Sequence, residues 1–190
     1  MVKELIRALG IDDCPFQLRE DMHTRLVGVI YRGNSILEDV LSTTIEVDGL
    51  DSTDKIIEMI KHSKFSDQLR VIFLSGITFG GFNTVNIKEL YNSLKIPVIV
   101  ILDKKPNYEK IKLGASRIRN YERIIELINI AGNVVEIQTF KGRVYFQISG
   151  VESDKAVNLI TIFQGTSKIP EPLRAAQLIA KIFKRENNLN

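Results

Sequence analysis

Two uninterrupted apolar runs, RVIFL at 70–74 and PVIVIL at 97–102, constrain this chain more than any other feature. Strands without polar alternation must be covered on both faces, the situation of central strands in a parallel sheet. Between the runs, Ile87, Leu90, Tyr91 and Leu94 follow the i, i+3, i+4, i+7 spacing of a helix with one buried face. The unit is therefore a strand, helix, strand crossover. Its strand-to-helix loop, SGITFGGFN at 75–83, carries three glycines.

The flanking segments read as strands and helices of the same sheet. RALGID at 7–12 is a short strand ending at Asp12 or Asp13, ahead of Pro15. Arg25–Arg32 and Ile36–Val47 are rich in β-branched residues and joined by the turn dipeptide Gly33-Asn34, which predicts a hairpin. Ile56, Ile57, Met59 and Ile60 predict a helix with Asp51 or Ser52 as its N-cap. A longer helix is expected over Arg117–Ala131 with Gly132 as its C′ residue. A hairpin turning at Lys141-Gly142 and helices over Ser153–Gln164 and Pro172–Arg185 follow. The fold class is an α/β mixed sheet: an antiparallel meander, then a parallel β-α-β unit, then a C-terminal hairpin and helices. The whole chain, 1–190, is expected to be a single domain.

Composition narrows the compartment and the partners. Cys14 is the only cysteine, so no internal disulfide can form and a reducing, cytoplasmic location is expected. No apolar run approaches the roughly 20 residues that span a bilayer, and MVKELIRALG lacks a signal-peptide h-region, so no membrane is expected. Charge is unevenly distributed. Six acids and no base lie between Glu38 and Asp54, whereas Lys104 to Arg123 holds seven bases and two acids. An acidic cluster beside a basic stretch suits a metal site facing a phosphate backbone; two solvated faces of unlike charge would read the same way.

In mixed sheets functional groups gather at the carboxyl ends of the central strands. Those ends are Asp12 and Asp13, the Asp48 to Asp51 corner, Ser75 with its glycine loop, and Asp103 with Lys104. Magnesium takes oxygen ligands, and Asp12 or Asp13 with Asp51 could supply a carboxylate pair. Asp51 serves equally as a helix cap and Asp13 as a turn acid. The glycine loop is neither a Walker loop nor GxGxxG, yet its backbone N–H groups could meet a phosphate. Phe79, Phe82 and Tyr108 could stack on bases or simply pack in the core. Two scattered histidines and one cysteine make neither a zinc set nor a convincing Ser-His hydrolase.

GIDDCPF, VDGLDST, SGITFGGFN, PVIVILDKKP and IPEPLRAAQLIA, in that order, resemble the endonuclease dU family, a group related to endonuclease V. The resemblance covers nearly the whole chain and implies an RNase H-like fold. It implies cleavage of DNA near deaminated bases such as deoxyuridine, possibly deoxyinosine, with Mg2+ or Mn2+ as cofactor and deaminated or single-stranded DNA as partner. It places catalytic roles on Asp12, Asp51 and Lys104, and metal ligation on Asp12, Asp13, Asp51 and Ser75, with Asp48 as a further possibility. Thr78, Gly80, Gly81, Asn83, Lys105 and Arg117 would contact substrate. The family pattern implies an acid where this chain has Ser75, and another where it has Asn86. Both departures remove negative charge from the metal site, so a catalytically weakened member that binds nucleic acid or protein is the alternative.

Overall fold

The computed structural model describes residues 5–183. In chain order these form β1 (Arg7–Asp13), β2 (His23–Arg32), β3 (Ile36–Glu46), α1 (Ser52–Lys61), β4 (Leu69–Leu74), a two-residue ribbon of β5 (Thr78–Phe79) and β6 (Asn83–Thr84), and α2 (Ile87–Leu94). There follow β7 (Val98–Leu102), α3 (Tyr108–Ala115), α4 (Tyr121–Ile130), β8 (Val135–Thr139), β9 (Gly142–Ser149), α5 (Ser153–Phe163) and α6 (Glu171–Ala180). No described helix is long and apolar enough to cross a membrane.

Seven strands make one sheet in the order β3-β2-β1-β4-β7-β9-β8. The β1–β4 and β4–β7 pairs are parallel and the others antiparallel. The apolar runs thus become the central strands β4 and β7, and their period of two feeds two cores. Ile72, Leu74, Val98 and Val100 pack with Ile56 and Ile60 of α1 and Leu90 of α2. Val71, Phe73, Ile99 and Ile101 pack with Ala156, Ile160 and Phe163 of α5 and Leu173 of α6. Phe73 and Phe163 meet edge to face with centroids 5.6 Å apart, a geometry that adds to the burial of both rings.

One glycine sets the position of α6. A Cβ on Gly10 would lie 2.3 Å from the backbone nitrogen of Leu173 and from the carbonyl carbon of Pro172. Only a residue without a side chain lets the start of α6 rest on β1, from where the helix runs on over β1 and β2.

Three elements differ from the sequence expectation. The helix expected over Arg117–Ala131 begins later, as α4 at Tyr121, and a helix that was not expected, α3, precedes it: Asn107 opens α3 by accepting from the Lys110 N–H at 3.0 Å, and residues 116–120 separate the two. The cap after Pro106 is a local signal that outweighs the weak apolar periodicity of α3. Gly132, at φ +78°, follows α4 as expected. The second hairpin turns one residue earlier than expected, because Gly142 pairs with Thr139 and leaves Phe140-Lys141 as the loop. The last helix ends at Ala180, and the part of the expected span beyond 183 lies outside the described residues.

Candidate active site at the carboxyl ends of the strands

Strand direction brings the expected strand ends to one rim. β1, β4 and β7 are mutually parallel, and β3, two antiparallel steps from β1, runs the same way. Asp12, Asp13, the Asp48–Asp51 corner, Ser75 and Asp103 therefore share one end of the sheet. Side-chain alternation then divides them between its two faces. Leu9 and Ile11 point into the α1/α2 core and Ala8 into the α5/α6 core, so Asp13 belongs to the first face and Asp12 to the second.

On the α6 face the ladder continues past β4, with the Ser75 N–H donating to the Ile11 carbonyl at 3.1 Å. The Ser75 hydroxyl hydrogen-bonds the Asp12 carboxylate and accepts from Gln177 Nε2 at 3.1 Å. Burial, and then the charge of Asp13, push the Asp12 carboxyl up from 3.8 to about 7; the Ser75 hydrogen bond and the more distant Lys181 oppose this. Gln177 lies on α6 and Lys181 one turn further, at its C-cap, and the sequence alone singles out neither. The polar interruption in AAQLIAK was the available signal, but nothing local tells which sheet edge such a helix reaches.

On the opposite face the acids hold the glycine loop. Asp13 Oδ2 accepts from the Gly80 N–H at 2.7 Å, and Asp48 Oδ1 from the Phe82 N–H at 2.8 Å. Asp51 Oδ1 accepts from Asn83 Nδ2 at 2.6 Å and from the Glu46 N–H at 3.2 Å. Asp51 occupies the N-cap position of α1, yet its side chain makes no capping bond to that helix. Asn83 is wholly buried and fully engaged, since Oδ1 also accepts from the Ser52 N–H at 3.0 Å and Nδ2 donates to the Glu46 carbonyl at 2.9 Å. Asp13 is raised above the ordinary carboxylate range by burial, with the Gly80 N–H pulling the other way. Among the described residues no three His, Cys, Asp or Glu side chains form a group able to hold a metal ion. Asn86, where the family pattern implied an acid, caps α2 by accepting from the Glu89 N–H at 3.2 Å.

Beyond these acids the loop shapes two concavities. A pocket of about 520 Å³, counting its open mouth, is lined by Gly76, Thr78, Phe82, Leu102, Tyr108 and Gln147 among others. A wider groove runs between Arg19 on one side and Lys110, Gly114 and Arg117 on the other. Phe82 borders both, and α3 can approach its ring because Gly114 has no side chain; a Cβ there would stand 2.8 Å from Phe82 Cζ. Thr78 lines the pocket and Gly81 and Arg117 the groove, while Gly80 is buried beneath. Lys104 and Lys105 are exposed just past β7, next to Asp103, which pairs with Lys168 at 2.6 Å.

The family described as endonuclease dU matches residues 4–183. A UPF0215 protein of Methanothermobacter thermautotrophicus is 44% identical over 180 residues, covering 94% of this chain and 88% of that protein. The crystal structure of a protein of unknown function from Archaeoglobus fulgidus superimposes with a TM-score of 0.85 at 36% identity, covering 94% of this chain and 98% of that one. Endonuclease V of Ciona intestinalis, in complex with a 24mer DNA containing an inosine followed by a ribo-adenosine, superimposes with a TM-score of 0.63 at 10% identity. That match covers 100% of this chain and 89% of the other, and the likeness is one of fold, RNase H-like.

Proposed function

Because this chain belongs to the endonuclease dU family, we propose that it is a metal-dependent endonuclease that hydrolyses a phosphodiester bond of DNA beside a deaminated base, deoxyuridine or deoxyinosine. The observation that carries this reading is Asp12. It is a carboxylate at the carboxyl end of the first strand, oriented by Ser75 and Gln177 and burdened by burial and by Asp13. A cation would stabilise the charged form of such an acid. The oxygens at hand there, the Asp12 carboxylate and the Ser75 hydroxyl, are hard donors of the kind Mg2+ or Mn2+ takes, with waters and phosphate completing the shell. Bound there, the ion would supply an activated water and neutralise charge at the phosphate.

The chain's own groups supply the rest. Water adds to phosphorus as the ester P–O bond breaks, and the released oxygen takes a proton, leaving a phosphomonoester on one fragment and a hydroxyl on the other. Asp12 would orient the attack, and Lys104 and Lys105 would hold the phosphates. Arg117 and Lys110 would carry the strand along the groove. Phe82 and Tyr108 would receive a displaced base in the pocket, against Thr78 and the glycine backbone. Asp13, Asp51, Gly80 and Asn83 would act through the shape of that loop. Incision of labelled DNA carrying uracil or hypoxanthine, with and without magnesium or manganese, tests the reading; no incision in any combination rejects it. One observation favours binding without cleavage: Ser75 is neutral, Asp13, Asp48 and Asp51 are committed to the loop, and Asp103, which shares the α6 face by alternation, is paired with Lys168, so among the described strand-end acids none is free to join Asp12. Binding of the same DNA without incision identifies that case.

A further inference from the structure

The β8–β9 hairpin carries a feature that neither the fold nor the site uses. Its two-residue loop is Phe140-Lys141, and the Phe140 ring is 103% exposed, more than any other large apolar side chain described. Two-residue hairpin loops favour Asn, Gly and Asp, so an aromatic ring brings the turn nothing and forgoes its own burial. The tip is nevertheless braced. Thr139 Oγ1 accepts from the Lys141 N–H at 3.1 Å and donates to the Gly142 carbonyl at 2.9 Å. Buried Gln164 ties this turn to the α5–α6 loop, its Nε2 donating to Thr139 Oγ1 at 3.2 Å and to the Lys168 carbonyl at 2.7 Å.

Position and charge narrow what the ring could meet. β8 runs parallel to β7, two antiparallel steps away, so the tip stands at the same end of the sheet as Asp12 and Ser75. Lys141 beside the ring is exposed, as are Lys104 and Lys105 at the neighbouring strand end, whereas the nearby acids Asp103 and Glu136 are paired with Lys168 and Arg143. A flat apolar surface among cations at the working end of the sheet fits a polyanion with stackable faces, a nucleic acid. We propose that Phe140 stacks on a base of the bound DNA strand, away from the scissile phosphate. The inference rests on the nuclease reading above. Four strand spacings separate β1 from β8, about 19 Å across the sheet. At 3.4 Å per nucleotide the stacked base lies roughly five or six nucleotides from the bond at Asp12.

The chain contains no tryptophan, so Phe140→Trp makes a single reporter at the tip. With a fluorescein-labelled 30-nucleotide DNA, as single strand and as duplex, the emission of Phe140→Trp is expected to be quenched on binding, with affinity near that of the native chain. Phe140→Ala is expected to bind about tenfold more weakly, the size of one base–aromatic stack. It should leave the salt dependence unchanged, because no phosphate contact is lost. 2-Aminopurine placed along the strand should change emission with the native protein at one position and lose that change with Phe140→Ala. Native affinity in Phe140→Ala together with an unquenched Phe140→Trp overturns the stacking role and leaves the nuclease reading standing. Failure of the native chain to bind either DNA overturns both.

Discussion

The two faces of the strand-end rim use the same residue type for opposite purposes. On the glycine-loop face, Asp13, Asp48 and Asp51 each accept from an N–H group of the loop, so their charge is spent on building it. On the α6 face, Asp12 meets a hydroxyl that is itself held by an amide, and its carboxyl is driven up to about 7. The lesson is that an acid's work follows from the donors aimed at it. Asp13 is also raised by burial, but its Gly80 donor ties it to the loop, whereas Asp12 adds a like charge to its burial and is stabilised by a cation or a proton.

The largest expected effect separates the faces by activity. Under the nuclease reading, Asp12→Ala should lower incision of uracil-containing DNA by roughly a thousandfold or more while DNA binding persists, since an electrostatic anchor of the reaction is gone. Asp13→Asn can still accept the Gly80 N–H through its amide oxygen and should retain most of the activity. Equal losses in both variants, measured by single-turnover incision, would erase the proposed division.

Gly10→Ala should act on the α6 face through the backbone. The new methyl group meets main-chain atoms of Pro172 and Leu173, so α6 must lift. A loss of about 3 kcal/mol is expected from such overpacking, and Gln177 should be displaced from Ser75. Urea denaturation measures the first effect, and the incision rate below the unfolding transition measures the second. An unshifted midpoint would mean that α6 does not rest on β1 as described.

Asp51→Ala tests the other face. It leaves Asn83 Nδ2 short of a partner in a buried setting, while the exposed Glu46 N–H turns to water. A cost of about 1–3 kcal/mol follows from the unmet buried donor. A double-mutant cycle with Asn83→Ala should show strong coupling, and additive losses would sever the lock.

Much of this architecture was legible beforehand. The apolar runs and helical spacing identified the crossover, and the turn dipeptide identified the first hairpin. The gathering of strand ends at one rim followed from strand direction. Even the split between Asp12 and Asp13 is implicit in the alternation of Leu9 and Ile11. What was not legible is long-range. Nothing near Gln177 says that α6 reaches Ser75, 102 residues away in sequence. Nothing near Asp51 says that its partner is Asn83 rather than the first turn of its own helix. Helix α3 has little apolar pattern to betray it, since only Ala115 of its residues is buried, and the Asn107 cap after Pro106 is what starts it.

Ser75→Asp would sharpen the contrast by placing a second acid directly beside Asp12 on the α6 face. Manganese affinity is expected to rise about tenfold by calorimetry, as one carboxylate joins the shell of a hard cation. Without metal, the same substitution should destabilise the protein above neutral pH through repulsion with Asp12. Unchanged manganese affinity would move the metal away from Asp12.

The smallest effect concerns stability alone. The Asp12 carboxyl is pushed up to about 7 in the fold, against an ordinary aspartate value of 3.8 in the unfolded chain. Between those values the native state binds the extra proton, so stability declines as pH rises through the window and levels off above about 7. Below the lower value both states are protonated and Asp12 has no such effect. Asp12→Asn removes the charge and keeps an oxygen to accept the Ser75 hydroxyl. It should therefore match the native protein at pH 4 and exceed it at pH 8 by roughly 1 kcal/mol, allowing for solvent reaching a half-buried group, or about 2–4 °C in Tm. The same substitution at Asp51 keeps one acceptor but loses charge-assisted bonds, so it should show no gain at pH 8. Thermal melts at the two pH values decide the matter. A constant difference between Asp12→Asn and the native chain at pH 4 and pH 8 would show that the charge on Asp12 is already neutralised within the fold, and that this face carries no standing demand for a cation.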